Sequence, residues 1–300
     1  MSERSRFSDA GVQVARRIYR HGHKAYRTVR NSLLFGMYRL LNRFSHRSVT
    51  GSANAVVSLT SYGKRAQVCA YTIESIARGA VRPQRVILWL DDESLIAAPP
   101  RALARLAERG LEIRLSANYG PHTKYYPAVA ESVSADLPLV TADDDTFYPR
   151  SWLSKLLAVH NRFPNDVVCY RAWVIQVRGG VIEPYNRWLH CRTTAASRRN
   201  FATGVSGVSY PPAFQALLAT EGARFMDITP RADDIWLHWM ALRSGFRVRQ
   251  VGPKPIHFPT MPGTIDSGLL WENVHDSGND RVISQLYNES DIALLGGAEL

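Results

Sequence analysis

Short apolar runs alternate with helix-forming stretches along the first half of this sequence, and that alternation limits the fold classes open to it. Residues 55–59 (A-V-V-S-L), 85–90 (R-V-I-L-W-L), 111–115 and 137–140 have the length and apolar content of buried strands. Between them, residues 66–79, 99–109 and 125–134 read as helices, the second opening on two prolines and closing on Gly110. A β-α-β-α-β-α-β rhythm predicts a parallel sheet with helices on both faces. Ligands of such sheets bind beyond the carboxyl ends of the strands, so the loops at 60–65, 91–94, 117–124 and 141–149 are where chemistry belongs.

The second half is less regular. Strands are expected at 167–177 and 181–185, a Gly-bearing segment at 203–210, a helix at 233–244 stopped by Gly245, and a strand at 246–251. The Pro- and Gly-rich tail from residue 252 is expected to wrap the body. With 45% hydrophobic and 21% charged residues over 300 positions, the chain is neither disordered nor a coiled-coil rod. Its three cysteines have no motif spacing, which suggests a reducing compartment and no disulfide framework.

Charge divides the chain. Residues 1–50 carry eleven Lys/Arg against two acids, whereas the other 250 residues are close to neutral within a total of +11. Residues 12–44 place Ile18, Tyr26, Val29, Leu33, Met37, Leu41 and Phe44 at helical spacing among arginines. This describes a basic amphipathic arm, either one helix or a pair broken near Gly22, suited to an anionic membrane surface. Packing on the body is the plainer use. Nucleic acid is not expected as a partner, because nothing downstream offers a groove reader. No secretory signal and no spanning segment are visible. The expected organisation is therefore a 1–50 arm and a 51–300 domain, with a nucleotide-binding half at about 54–150 and an acceptor-binding half and tail at about 151–300.

The strongest chemical signal is V-T-A-D-D-D-T-F-Y-P at 140–149. Three consecutive carboxylates after a buried strand repel one another unless a cation neutralises them. Oxygen-only donors of this kind suit Mn²⁺ or Mg²⁺, above all where phosphate completes the shell. A solvated acidic turn is the bland alternative. A haloacid-dehalogenase-like phosphatase would place its Asp-x-Asp after the first strand, and here the cluster follows the fourth.

T-S-Y-G-K-R at 60–65, L-W-L-D-D-E-S at 88–94 and T-A-D-D-D-T-F-Y-P at 141–149 together resemble, in order and spacing, three landmarks of the GT-A glycosyltransferases, closest to family 2. The resemblance covers roughly residues 54–250. It implies a Rossmann-like GT-A α/β fold with a mixed, mostly parallel sheet flanked by helices, carried here on the N-terminal helical arm. It further implies a base pocket lined by Thr60 and Tyr62, with Asp92 as the uracil partner beside Asp91. Arg65 would approach the diphosphate or remain solvated, and Lys124 in G-P-H-T-K-Y-Y-P would reach the nucleotide. Asp143 would meet ribose and Asp145 the metal, with Asp144 as the alternative ligand and His257 as a further one.

R-A-D-D-I-W-L-H-W at 231–239 resembles the family's Glu-Asp helix, with Asp233 where Glu is usual and Asp234 at the base position. The plain alternative is a helix cap. Gly204 and Gly207 would let backbone approach the donor sugar. Trp188, Trp236, Trp239 and Trp271 could stack on sugars, though core packing suits each better. The polar 271–280 stretch could fold over the site.

The resemblance thus implies a metal-dependent, inverting transfer of a hexose or N-acetylhexosamine from a nucleotide diphosphate sugar, UDP-linked by preference. The acceptor would be a lipid-linked or polysaccharide glycan, and the enzyme would be cytoplasmic, peripheral on the membrane's cytoplasmic face. The rivals are a sugar nucleotidyltransferase, which would need a more Gly-rich first loop, and a non-enzymatic basic membrane- or nucleic-acid-binding protein.

Overall fold

The computed structural model describes residues 3–263 and 278–297, with the backbone alone over most of 3–24. The chain opens on α1 (Glu3–Phe44), which is unbroken. Gly22 does not interrupt it, contrary to the break considered there: one interior glycine costs about 1 kcal/mol, too little to end a helix favoured on both sides. Next come β1 (Ala53–Thr60), α2 (Cys69–Ala77), β2 (Pro83–Leu90), α3 (Glu93–Ala97), α4 (Arg101–Ala107), β3 (Leu111–Leu115), α5 (Tyr126–Ala130) and β4 (Leu139–Thr141). The helix expected at 66–79 is divided into a 3-10 turn (Gly63–Gln67) and α2. The helix expected at 125–134 ends early, and Ser132 just beyond it takes a φ of 51°.

In the second half follow α6 (Trp152–Arg162), β5 (Val167–Cys169), β6 (Ala172–Val174), β7 (Val177–Arg178), β8 (Val181–Ile182), β9 (Leu189–His190), β10 (Asn200–Ala202) and β11 (Val208–Tyr210). The chain closes with α7 (Pro212–Glu221), α8 (Phe225–Ile228), α9 (Asp233–Arg243), β12 (Val248–Gln250), α10 (Gly278–Leu286) and α11 (Glu289–Gly296). The single strand expected at 167–177 is three strands in three different sheets. The apolar pattern runs on without a break there, but the chain leaves the main sheet after Cys169, and strand propensity does not register such a change of partner.

The main sheet has seven strands in the order β12-β5-β11-β4-β1-β2-β3. Only β11 runs antiparallel, pairing β4 on one side and β5 on the other. Alternate side chains of each strand serve two cores. Val57, Leu59, Val86, Leu88 and Leu90 pack with α2, α4 and α6, while Val56, Ile87 and Trp89 pack with α5, α7 and α9. This is the mixed, mostly parallel α/β sheet between two layers of helices that the sequence patterns imply.

The C-terminal third of α1 lies in the body's packing. The Tyr38 ring stacks on Phe147 at 5.2 Å, and Phe35 meets Tyr71 edge-on at 5.0 Å. Buried Asn42 donates to the Ala102 carbonyl at 3.0 Å and accepts from Arg105 at 2.7 Å. Contacts thus cross residue 50 instead of thinning there. No helix among the described residues is long and apolar enough to cross a membrane. Trp188, Trp236 and Trp239 are buried, whereas Trp271 and residues up to 277 of the polar 271–280 stretch lie outside the described residues.

Candidate active site

β1 and β4 are hydrogen-bonded neighbours, so their carboxyl ends bring the 61–67 loop against the 142–149 loop. Asp144 turns inward. Its carboxylate accepts from the Ser61 hydroxyl at 2.6 Å and pairs with Arg65 Nη2 at 2.6 Å, while its backbone carbonyl accepts from Thr72. Burial, the largest influence, pushes its carboxyl up to about 6 even though Arg65 and Ser61 pull the other way. The same Arg65 nitrogen lies 2.6 Å from Asp145. Arg65 is therefore neither solvated nor free to reach a ligand as placed: it bridges two consecutive carboxylates. Burial alone would lower its pKa, and Asp144 and Asp145 more than offset this and raise it.

Asp143 faces the other way. Its backbone N–H donates to the Tyr148 hydroxyl at 2.9 Å, and its carboxylate lies 3.8 Å from Lys124 Nζ. The Lys124 ammonium is 2.8 Å from Asp233. Burial would strip its proton, but Asp233, Asp143 and Asp234 hold its pKa well above the ordinary value, so it stays charged. The backbone around Lys124 is fixed from below the sheet surface, where Ser58 donates to the Lys124 carbonyl at 2.7 Å and Trp89 donates to Ser58.

Asp233 and Asp234 open α9. Neither side chain caps the helix; the N-cap position is Ala232, with no side-chain cap bond. The Asp234 carboxylate instead accepts from the Gly204 N–H at 2.9 Å. Burial first, then the Asp233 charge, raises the Asp234 carboxyl to about 7. It borders a cavity of about 50 Å³ shared with Tyr185, Phe201 and Asn279. Gly204 is a close approach: a Cβ there would stand 2.6 Å from Lys124 Nζ and 3.3 Å from Asp234. Gly207 has a φ of 100° and lies under the Trp152 ring, whose indole N–H donates to the Ser206 carbonyl.

The remaining expected residues lie around this centre. Thr60 donates to the Trp89 carbonyl, and Tyr62 is 48% exposed with the Arg65 guanidinium over its ring at 5.9 Å. Asp92 is exposed and caps α3 through Ser94, whose hydrogen bonds lower its pKa. Asp91 accepts from Asn118 at 2.7 Å. His257 is exposed, with Nδ1 at 2.9 Å from the neighbouring Phe258 carbonyl, and among the described residues no hydrogen bond or ion pair joins it to the carboxylates. Among the described residues no three metal-ligating side chains are already gathered in one set. The donor chemistry nonetheless fits a hard divalent cation: five carboxylates (Asp143, Asp144, Asp145, Asp233, Asp234) face two cations, Arg65 and Lys124, leaving an excess of negative charge.

Ser61 and Tyr148 stand inside the quoted motifs, yet no local pattern marks either as part of the site. A hydroxyl beside an acidic loop was the available signal, and nothing local says which carboxylate it holds.

No family model matches the chain, and no curated protein matches it. Among solved structures it is similar to the mannosyltransferase PcManGT from Pyrobaculum calidifontis in complex with GDP-Man and Mn²⁺, at 13% identity over 91% of this chain and 81% of that one, with a TM-score of 0.49. It is similar also to residues 1–349 of S. aureus TarS, at 15% identity over 81% and 69% of the two chains, TM-score 0.46. A third likeness is to CMP:2-keto-3-deoxy-manno-octonic acid synthetase complexed with CTP, at 12% identity over 76% of this chain and all of that one, TM-score 0.42.

Proposed function

We propose that this protein is a metal-dependent glycosyltransferase that moves a sugar from a nucleotide diphosphate sugar, UDP-linked by preference, to a glycan or lipid-linked acceptor with inversion. One observation carries the reading: of three consecutive carboxylates the middle one is turned inward and pinned, at 8% side-chain exposure, while Asp143 and Asp145 are partly exposed at 24% and 21%, beside Lys124 and Arg65 respectively. That is the arrangement an Asp-x-Asp pair needs to face a ligand.

Asp143 and Asp145 would hold Mn²⁺ or Mg²⁺, with Asp144 as the structural member between them. A bound divalent cation supplies Lewis-acid stabilisation of the departing diphosphate. Lys124, fixed between Asp143 and Asp233, adds a positive charge beside the same oxygens. Asp234, with a carboxyl near 7, is poised to take the acceptor hydroxyl's proton at neutral pH. Thr60, Tyr62 and Asp92 would line the base pocket at the ends of β1 and β2. In this reading the domain begins near residue 51, residues 1–50 form a membrane-facing arm, and the enzyme works peripherally on the cytoplasmic membrane face.

Thermal shifts with UDP, GDP and CTP, each with and without Mn²⁺, test the reading. Stabilisation that requires both UDP and Mn²⁺ supports it. A CTP response alone favours a nucleotidyltransferase, and no metal-dependent response to any nucleotide overturns both.

A further inference from the structure

The apolar residues of α1 fall on two faces. Leu34, Phe35, Tyr38 and Leu41 turn toward the body. Tyr26, Val29, Leu33, Met37, Leu40 and Phe44 turn outward, and all six are exposed, Leu33 at 69% and Phe44 at 66%. Their spacing of three, four and seven residues draws one stripe along the helix, about 27 Å long at 1.5 Å per residue. A helix whose inner face is already packed gains nothing for the body from six further large apolar side chains in water. At about 25 cal/mol per Å² of apolar area, leaving them there forgoes a sizeable stabilisation.

The stripe runs into a second unusual surface. Just past the end of α1, Arg47 donates to the Gly79 carbonyl at 3.1 Å, Arg82 donates to the Ser48 carbonyl at 2.8 Å, and the Ala80 N–H donates to the Arg150 carbonyl at 2.7 Å. These bonds gather Arg47, Arg82 and Arg150 where β2 begins, and Arg78, at the end of α2, is near enough to act on Arg47. Arg47 is lowered from its ordinary pKa by partial burial and then by the other three arginines. None of the four forms an ion pair with a carboxylate among the described residues. The sequence contains no acid between Asp9 and Glu74, and Glu74, four residues before Arg78, is buried and already paired with Arg109.

We propose that the outward stripe of α1 and the arginine cluster at its foot form one docking face for an anionic phospholipid bilayer. The apolar stripe enters the interface while the guanidinium groups meet headgroup phosphates. Because the inner face of α1 is pinned to the body, the helix lies in the membrane plane and holds the acidic site at a fixed height and orientation above it. This sharpens the membrane-facing arm of the functional reading, but it needs no nucleotide or metal to be true.

The test uses the full chain and sedimentation with vesicles of phosphatidylcholine alone or of phosphatidylcholine mixed with phosphatidylglycerol. Wild-type protein is expected on the mixed vesicles and not on the neutral ones. Arg78→Gln with Arg150→Gln removes two charges whose side chains make no hydrogen bond or ion pair among the described residues, and weakens binding by roughly tenfold to thirtyfold. Leu33→Glu with Leu40→Glu abolishes it, with circular dichroism and melting temperature unchanged. Equal binding to both vesicle types, or an arginine variant that sediments like wild type, overturns the proposal. So does a wild-type dimer that the leucine variant converts to monomer without any vesicle binding, since the stripe then belongs to a second copy. Metal-dependent UDP binding is measured separately, so failure of the docking face and failure of the transferase reading are told apart.

Discussion

The Gly204 amide donates to the Asp234 carboxylate at 2.9 Å, and the absence of a side chain at Gly204 also makes room for the Lys124 ammonium. One residue position thus orients the proposed base and admits the positive charge next to it. Asp234→Asn keeps this geometry nearly intact while removing the proton acceptor. Transfer is expected to fall by about 10²–10⁴-fold with Mn²⁺–UDP binding preserved. Wild-type transfer should rise with pH through about 7, where Asp234 deprotonates. A variant retaining full transfer in a steady-state assay removes Asp234 from the role.

The two glycines of this segment differ in what surrounds them. At Gly204 the obstacle to a Cβ is the flexible end of Lys124, which can move; at Gly207 it is the rigid Trp152 ring at 2.8 Å, and φ is 100°. Gly204→Ala should lower transfer and also cost stability in urea unfolding, because Lys124 is pushed away from its buried partner Asp233. Gly207→Ala should cost about 1–3 kcal/mol or more in the same unfolding experiment.

The inward and outward carboxylates separate in the same way. Asp144→Ala leaves Arg65 with a lost partner and Ser61 unpaired in a buried place, and is expected to cost about 3–5 kcal/mol of unfolding free energy. Asp145→Ala should barely change stability but weaken Mn²⁺-dependent UDP binding in calorimetry. The reverse pattern would move the metal to Asp144.

Stability should depend on pH in a definite direction. Burial raises Asp144 to about 6 and Asp234 to about 7, from 3.8. Between about pH 4 and 7 the folded state keeps protons that the unfolded chain has released. Stability from these two groups is therefore full below pH 4 and declines as pH rises through 6 and 7. Asp234→Asn should flatten the upper part of that decline in urea unfolding, and an unchanged slope would count against the raised carboxyl.

Truncation separates the two parts of α1. Removing residues 1–24 should spare the folded body. Removing residues 1–45 deletes Tyr38 from Phe147 and Asn42 from Ala102 and Arg105, and should cost at least about 3–5 kcal/mol, read by urea unfolding.

The sequence by itself determined the sheet's first four strands, the acidic loop at a strand's carboxyl end and the paired Asp233–Asp234. Each is a local pattern: apolar runs of strand length, carboxylates in sequence, acids before an apolar helical run. The later strands were less legible, because β5, β6 and β7 share one apolar stretch and differ only in which sheet they join. What only the tertiary structure decided is which of three adjacent carboxylates faces inward, that Arg65 bridges two of them, and that α1 is pinned along one face. Arg65 meets Asp144 across 79 positions of chain and Asn42 meets Ala102 across 60. Contacts over such separations follow from strand order and loop paths, and no spacing within a motif encodes them.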